Sequence, residues 1–325
     1  MKKNSQLNVT KGLCVFAMVL HHTTQYFYRD PAAVIPVRFV SGAFVLLAGF
    51  FSTYIYLQRG TDSSALVKSG GRLVFRGCRL FLLYTLINLV LVKHAGTQLA
   101  PEHRMSASRL AKLFWNGDFK DAMFSLLAPI AYTLVVVGIF FMLKLVKPGV
   151  LLTCAMVLTG YCVFLFNDMA SGYILRYFVF GLLGAYLGAV PVVCKFLLEA
   201  SVWLGAAGFI LSLAIQWWLG TNYFIYICIV LTSVCLLFGV GRLLPQKNWF
   251  TGVCDVLGDY TLLAYLAHIV ILQALRRSLP FFENYFAVLA LFGLLSTVLY
   301  GILMLTSRIR KDFKGGDRVY RAIFA

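Results

Sequence analysis

The chain has 325 residues, 61% of them hydrophobic and only 13% charged, and its mean hydropathy is +0.84. That balance excludes a soluble globular domain, which could not hide so much apolar surface. The net charge of +17 does not call for nucleic acid: no nucleic-acid-binding motif accompanies it, and basic loops lying against anionic lipid account for it.

Apolar runs long enough to cross a bilayer recur from end to end, and none shows the alternation of a membrane β-barrel. They fall near 9–28, 35–57, 73–93, 123–144, 149–166, 173–190, 202–219, 223–241, 257–275 and 285–306. The expected fold class is an all-α polytopic membrane protein of about ten transmembrane helices. It forms a single integral-membrane domain over 1–325 that ends in a basic cytoplasmic tail over 307–325.

The first run, "KGLCVFAMVLHH" from Lys11 to His22, is not a cleavable signal peptide, because it lacks a small-residue cleavage site and carries histidines where a bland apolar region belongs. At about 100° per residue, His22 comes within roughly 20° of Lys11 on one helix face, ~16 Å further along the axis, while His21 points about 80° away. One face thus has a cation at its rim and a titratable base inside, and neutral imidazole is the usual general base. A plain hydrogen bond from His22 to a neighbouring helix is the competing reading.

In the third run, "RLVFRGCRLFLLY" places Arg72, Arg76 and Arg79 on ~60° of a helix face. The expectation is that they stand at a helix N-terminus, where backbone N–H groups also favour anions. Lipid phosphate would suit one arginine, and three in register suit a ligand with several phosphates. The segment 94–122 is expected to hold a short interfacial helix, because Leu110, Leu113 and Phe114 recur at helical spacing. No paired broken helices or internal repeats are expected along the chain. "LGDYTLLAYLAH" from Leu257 to His268 sets Tyr260, Thr261, Tyr265 and His268 inside a span, where such side chains can simply hydrogen-bond between helices.

Orientation follows from the basic residues. With the N-terminus placed in the cytoplasm, nineteen of the 29 Lys and Arg residues fall on that side, whereas the 12 acidic residues divide evenly. The positive-inside rule is then satisfied with both termini cytoplasmic. The eight cysteines form no CxxC motif and no cluster with histidine, so they read as small apolar fillers and no metal site is expected.

These residues, in this order, resemble the integral-membrane acyltransferase family 3, whose members O-acetylate surface sugars in bacteria. Lys11 and His22 match its basic residue, ten-residue interval and histidine. "FVLLAGFF" from Phe44 to Phe51 is similar to its "FFxxSGF" segment, with Val45 and Ala48 as departures. The repeated arginines match Arg72, Arg76 and Arg79, and "FGLLGAYLG" from Phe180 to Gly188 is similar to its "FxxGxxLG" segment. Leu257 to His268 resembles "LGxxSYxLYLxH", with Thr261, Leu262 and Ala264 departing from it. Asn8 stands where many members have Asp, and Lys11 where Arg is commoner.

The resemblance implies an enzyme of the bacterial cell (inner) membrane that moves an acyl group from cytoplasmic acetyl-CoA, or another acyl-CoA, to a hydroxyl of a surface or extracytoplasmic glycan. His22 and Lys11 would be catalytic, with His22 as general base or, in a competing mechanism, as the acylated nucleophile. Arg72, Arg76 and Arg79, with Lys11 at the same basic mouth, would hold the phosphates of coenzyme A, while His21, Tyr265 and His268 would bind substrate. Acyl-CoA, the glycan and membrane lipid are the expected partners, alongside a possible separate extracytoplasmic protein. No permanently bound cofactor is expected. A transporter or flippase for a glycan or lipid-linked intermediate is the alternative function.

Overall fold

The computed structural model describes residues 5–28, 30–95, 124–165, 173–220, 222–245, 248–276 and 278–313, together with 315, 317 and 320. The segment 96–123, and with it most of the expected interfacial helix, lies outside the described residues. Twelve α-helices are described: α1 (Ser5–Phe27), α2 (Val40–Leu57), α3 (Ser63–Ala95), α4 (Leu127–Met142), α5 (Pro148–Leu165), α6 (Tyr173–Ala189), α7 (Pro191–Leu198), α8 (Val202–Leu219), α9 (Tyr223–Leu243), α10 (Trp249–Asp259), α11 (Thr261–Arg276) and α12 (Tyr285–Asp312). A 3₁₀ segment, Pro31–Val37, joins the first two. The fold is all-helical among the described residues. That is what lipid demands, since a helix satisfies its backbone hydrogen bonds within itself.

Four stretches are long and apolar enough to cross a membrane: Ala32–Leu57, Val202–Leu219, Tyr223–Leu243 and Tyr285–Asp312. The count rises to six if each of two bent pairs is one span: Ile174–Ala189 with Pro191–Leu198, bent by 98°, and Trp249–Asp259 with Thr261–Arg276, bent by 92°. These bends correct the expectation of unbroken helices. Pro191 opens α7 because its missing N–H is no loss in a first turn. At the other bend Tyr260 leaves helical geometry (φ −109°, ψ 28°), so the expected span 257–275 starts its own helix only at Thr261.

The residues divide into two compact units. The first comprises Met1–Ala43, Phe196–Thr221 and Ile225–Ala325; the second comprises Phe44–Lys195 and Asn222–Phe224. In the first unit α1 is the central helix, packed against α10, α11, α12 and the 3₁₀ segment. Glycine lets α1 and α10 meet backbone to backbone: a Cβ on Gly12 would strike the Cys254 carbonyl, and one on Gly258 would strike that of Asn8. Gly205 of α8 also packs closely against the backbone of Leu236 on α9, a little less tightly. Trp203 at one end of α8 and Trp217 and Trp218 at the other are exposed, the pattern of aromatic anchors at two membrane interfaces.

In the second unit the two glycine-bearing segments turn out to be partners. Gly49 of "FVLLAGFF" faces the backbone of Gly181, and Gly184 of "FGLLGAYLG" faces that of Leu46. This is small-residue packing between apolar helices, where close approach takes the place of a hydrophobic driving force. Gly70 on α3 and Gly138 on α4 make the same kind of seam.

Candidate functional site

The first unit gathers most of the residues singled out by sequence. Lys11 and His22 lie on one uninterrupted helix, α1, so their shared face follows from helical geometry. At the His22 end three imidazoles meet. His22 stacks on His268 of α11, with ring centroids 5.4 Å apart and planes at 30°. His21 lies 5.0 Å from His22. Tyr265 packs edge-on to His268 at 5.8 Å, and Tyr26 packs edge-on to His22 at 6.3 Å. His21 and His268 are buried, with exposures of 6% and 1%.

The hydrogen bonds assign one tautomer. His268 Nδ1 sits 2.9 Å from the Ala264 carbonyl oxygen. A carbonyl can only accept, so Nδ1 carries the proton and Nε2 the lone pair. That Nε2, and the Nδ1 atoms of His21 and His22, are buried without a hydrogen-bond partner among the described residues. Buried polar atoms are ordinarily paired. Three unfilled nitrogens in one cluster mark a place where a polar ligand can complete the bonding.

The Lys11 end is different. Lys11 Nζ donates to Asn8 Oδ1 at 3.1 Å, and Asn8 Nδ2 donates to Asp259 Oδ1 at 2.9 Å. This chain ties α1 to the last residue of α10, beside the bend at Tyr260. Sequence reasoning noticed Asn8 only as a departure and gave Asp259 no role. Their pairing across 251 positions has no local signal. It also missed Arg38 and Arg276, which stand at the histidine end: Arg276 lies over the Tyr26 ring at 5.2 Å, and Arg38 is near enough to His21 for their charges to interact.

Arg72, Arg76 and Arg79 belong to the second unit, all on α3. Arg72 and Arg76 are exposed and Arg79 is half-buried, its guanidinium 5.5 Å from the Phe75 ring and its Nε unpartnered among the described residues. Their placement at a helix N-terminus is corrected: α3 begins at Ser63, capped by Asp62, whose carboxylate accepts from the Ala65 N–H at 3.2 Å. The arginines therefore stand more than two turns inside the helix, beyond reach of its free N–H groups. Only their own charges and their shared face remain to hold an anion. Among the described residues no group of three or more His, Cys, Asp or Glu side chains forms a metal site.

The long apolar helices make this a helical membrane protein, and a cluster of histidines with unpaired nitrogens lies buried within its first unit. The sequence profile of the family described as "Acyltransferase domain" matches residues 4–306, and the chain belongs to that family, the membrane acyltransferase family 3. Comparison with curated proteins and with solved structures found no match.

Proposed function

We propose that this acyltransferase uses acyl-CoA, most simply acetyl-CoA, as donor and a glycan hydroxyl as acceptor, with His22 as general base. The observation that carries the reading is the His22–His268 pair with its unfilled nitrogens. In the reaction, a ring nitrogen of His22 takes the proton of the acceptor hydroxyl as its oxygen bonds to the thioester carbonyl carbon. The tetrahedral intermediate collapses with cleavage of the C–S bond, and the proton passes to the departing thiolate, giving the ester and free CoA. His268, with its lone pair on Nε2, and His21 accept hydrogen bonds from the acceptor and orient it. Lys11, held by Asn8, fixes the opposite end of α1.

Arg72, Arg76 and Arg79 supply charge and forked N–H donors suited to the phosphates of CoA. The reading includes about ten spans, both termini in the cytoplasm and a place in the inner membrane of a bacterium, supported by the bias of basic residues. The two bent helix pairs favour a second reading, transport of a glycan or lipid-linked intermediate, because broken helices often frame transport sites.

One experiment separates the two. The purified chain is given acetyl-CoA labelled in the acetyl group, with a mixed glycan acceptor pool, and ester formation and CoA release are followed together. Stoichiometric label in ester and thiol in solution supports acyltransfer, with His22→Ala inactive and still stabilised by acetyl-CoA. Thermal stability unmoved by acetyl-CoA, together with no thiol release, would overturn it.

A further inference from the structure

The end of α1 that carries the histidines also carries cations. Arg276, exposed in the last turn of α11, is stacked over Tyr26, and Tyr26 in turn touches His22 edge-on. These two separations keep the guanidinium within a disaccharide's reach of the imidazole. Arg38, also exposed, caps the 3₁₀ segment that leaves α1 at its histidine end. Asp30, near in the chain, is engaged with the Ala32 N–H at 2.8 Å.

A cation at a helix C-terminus is favoured by the helix dipole, and this explains a basic residue at position 276. It does not explain a second arginine on a different element at the same end, nor the unfilled imidazole nitrogens there. In the orientation proposed above this end faces away from the cytoplasm, where the positive-inside bias keeps Lys and Arg scarce. Arginines retained there beside a reactive centre suit a negatively charged partner, which the forked guanidinium recognises through paired N–H donors.

We infer that the acceptor is anionic, bearing a carboxylate or phosphate close to the hydroxyl that is acylated, and that Arg276 and Arg38 are its charge-recognising residues. The inference rests on the acyltransfer reading and adds the class of acceptor. Tyr26 holds Arg276 in place through its ring face, while the hydroxyl enters between His22, His21 and His268. A lipid headgroup phosphate and a free acidic glycan share this chemistry, and the inference commits to the glycan.

The test uses the full chain in detergent and a matched pair of probes, a galacturonic acid trisaccharide and its methyl ester, which keep the same hydroxyls and differ in charge. Binding is followed by calorimetry for the wild type, Arg276→Gln and Arg38→Gln. Preference for the acid by about tenfold, lost in both variants, is expected for charge-assisted bonds. Equal binding of acid and ester, or no binding of either, overturns the inference. Vesicles containing phosphatidylglycerol form a further arm. Arginine-dependent binding to them, without preference between the trisaccharides, assigns the cations to lipid and also overturns it.

Thiol release from acetyl-CoA is measured in parallel. Transfer that occurs equally to both probes removes the anionic acceptor and leaves the acyltransferase. Selective binding of the acid with no transfer to any hydroxyl removes the acyltransfer reading on which the inference stands.

Discussion

The two ends of helix α1 solve opposite problems with similar residues. At one end Lys11, Asn8 and Asp259 form a connected chain of hydrogen bonds, donor to acceptor, across two helices. At the other, three imidazoles sit within stacking distance and leave three nitrogens unfilled. A part-buried chain of hydrogen bonds helps to fix packing; buried polar atoms left unpaired hold bonding capacity in reserve for a ligand. The contrast supports the proposal that the general base lies at the His22 end, although the seam at the Lys11 end also buries one unpartnered atom among the described residues, Asp255 Oδ1.

The sharpest way to break this contrast is to remove the base. His22→Ala should lower ester formation by at least about a hundredfold, the lower range for a lost general base, while thermal stabilisation by acetyl-CoA persists. A variant that keeps wild-type turnover would move the chemistry elsewhere. His268→Gln retains polar bulk and removes the ring whose Nε2 accepts, so turnover should fall by roughly tenfold or more through misplacement of the acceptor. Its effect belongs in the acceptor KM and kcat, with donor binding unchanged.

At the opposite end the largest effect is steric. Gly12→Ala drives a methyl group into the Cys254 carbonyl, and overpacking of that kind costs about 1–3 kcal/mol or more. The yield of folded protein and its Tm should drop, with no selective loss of transfer per folded molecule. A loss of transfer at unchanged Tm would place the chemistry at this end after all.

How far the sequence reached depended on the range of each interaction. Lys11 and His22 could be put on one face by counting residues, since a helix fixes that angle. Gly49 and Gly181 were visible as motifs, and their role as two halves of one seam became clear only once the helices met. The start of α3 was misplaced by ten residues because hydropathy marks where lipid begins and not where the helix begins; Asp62 and the polar first turns lie outside the apolar run. The bend at Tyr260 stayed hidden for a similar reason. Gly258, Asp259 and Thr261 around it are poor helix formers, but the apolar run continues past them, and the break goes with contacts from Asn8 that lie far away in the chain.

Asn8 offers a finer test. The Asn8 amide donates to Asp259, and a carboxylate at position 8 would face another carboxylate. Asn8→Asp should destabilise the fold by about 1 kcal/mol or less, because a part-buried hydrogen bond becomes a repulsion while Lys11, 3.1 Å away, gains a charged partner. The companion change Asp259→Asn in the same chain should recover most of that loss, because donor and acceptor are then exchanged across the pair. A double-mutant cycle in thermal unfolding measures the recovery. Additive losses would mean that the two side chains do not interact.

The smallest expected effect lies in the tail, just beyond the satisfied end. Arg310 holds Asp317 in an ion pair at 2.7 Å and lies 4.1 Å from the Tyr320 ring, while Tyr320 packs edge-on against Tyr260 at the bend, 5.3 Å between centroids. Burial pushes the Tyr320 phenol up to about 12 from its usual 10.0. A phenol whose folded value is raised is favoured in its neutral form, so the stabilisation is complete below pH ~10 and fades between there and ~12. Subtracting the phenolate absorbance titration of Tyr320→Phe from that of the wild type should isolate one group ionising near the upper value. A difference centred near 10 would mean that the tail does not rest on the bend. Because Tyr320 and Arg310 lie outside the matched residues 4–306, Tyr320→Phe should leave acyl transfer within about twofold of wild type, as expected for a change away from buried networks.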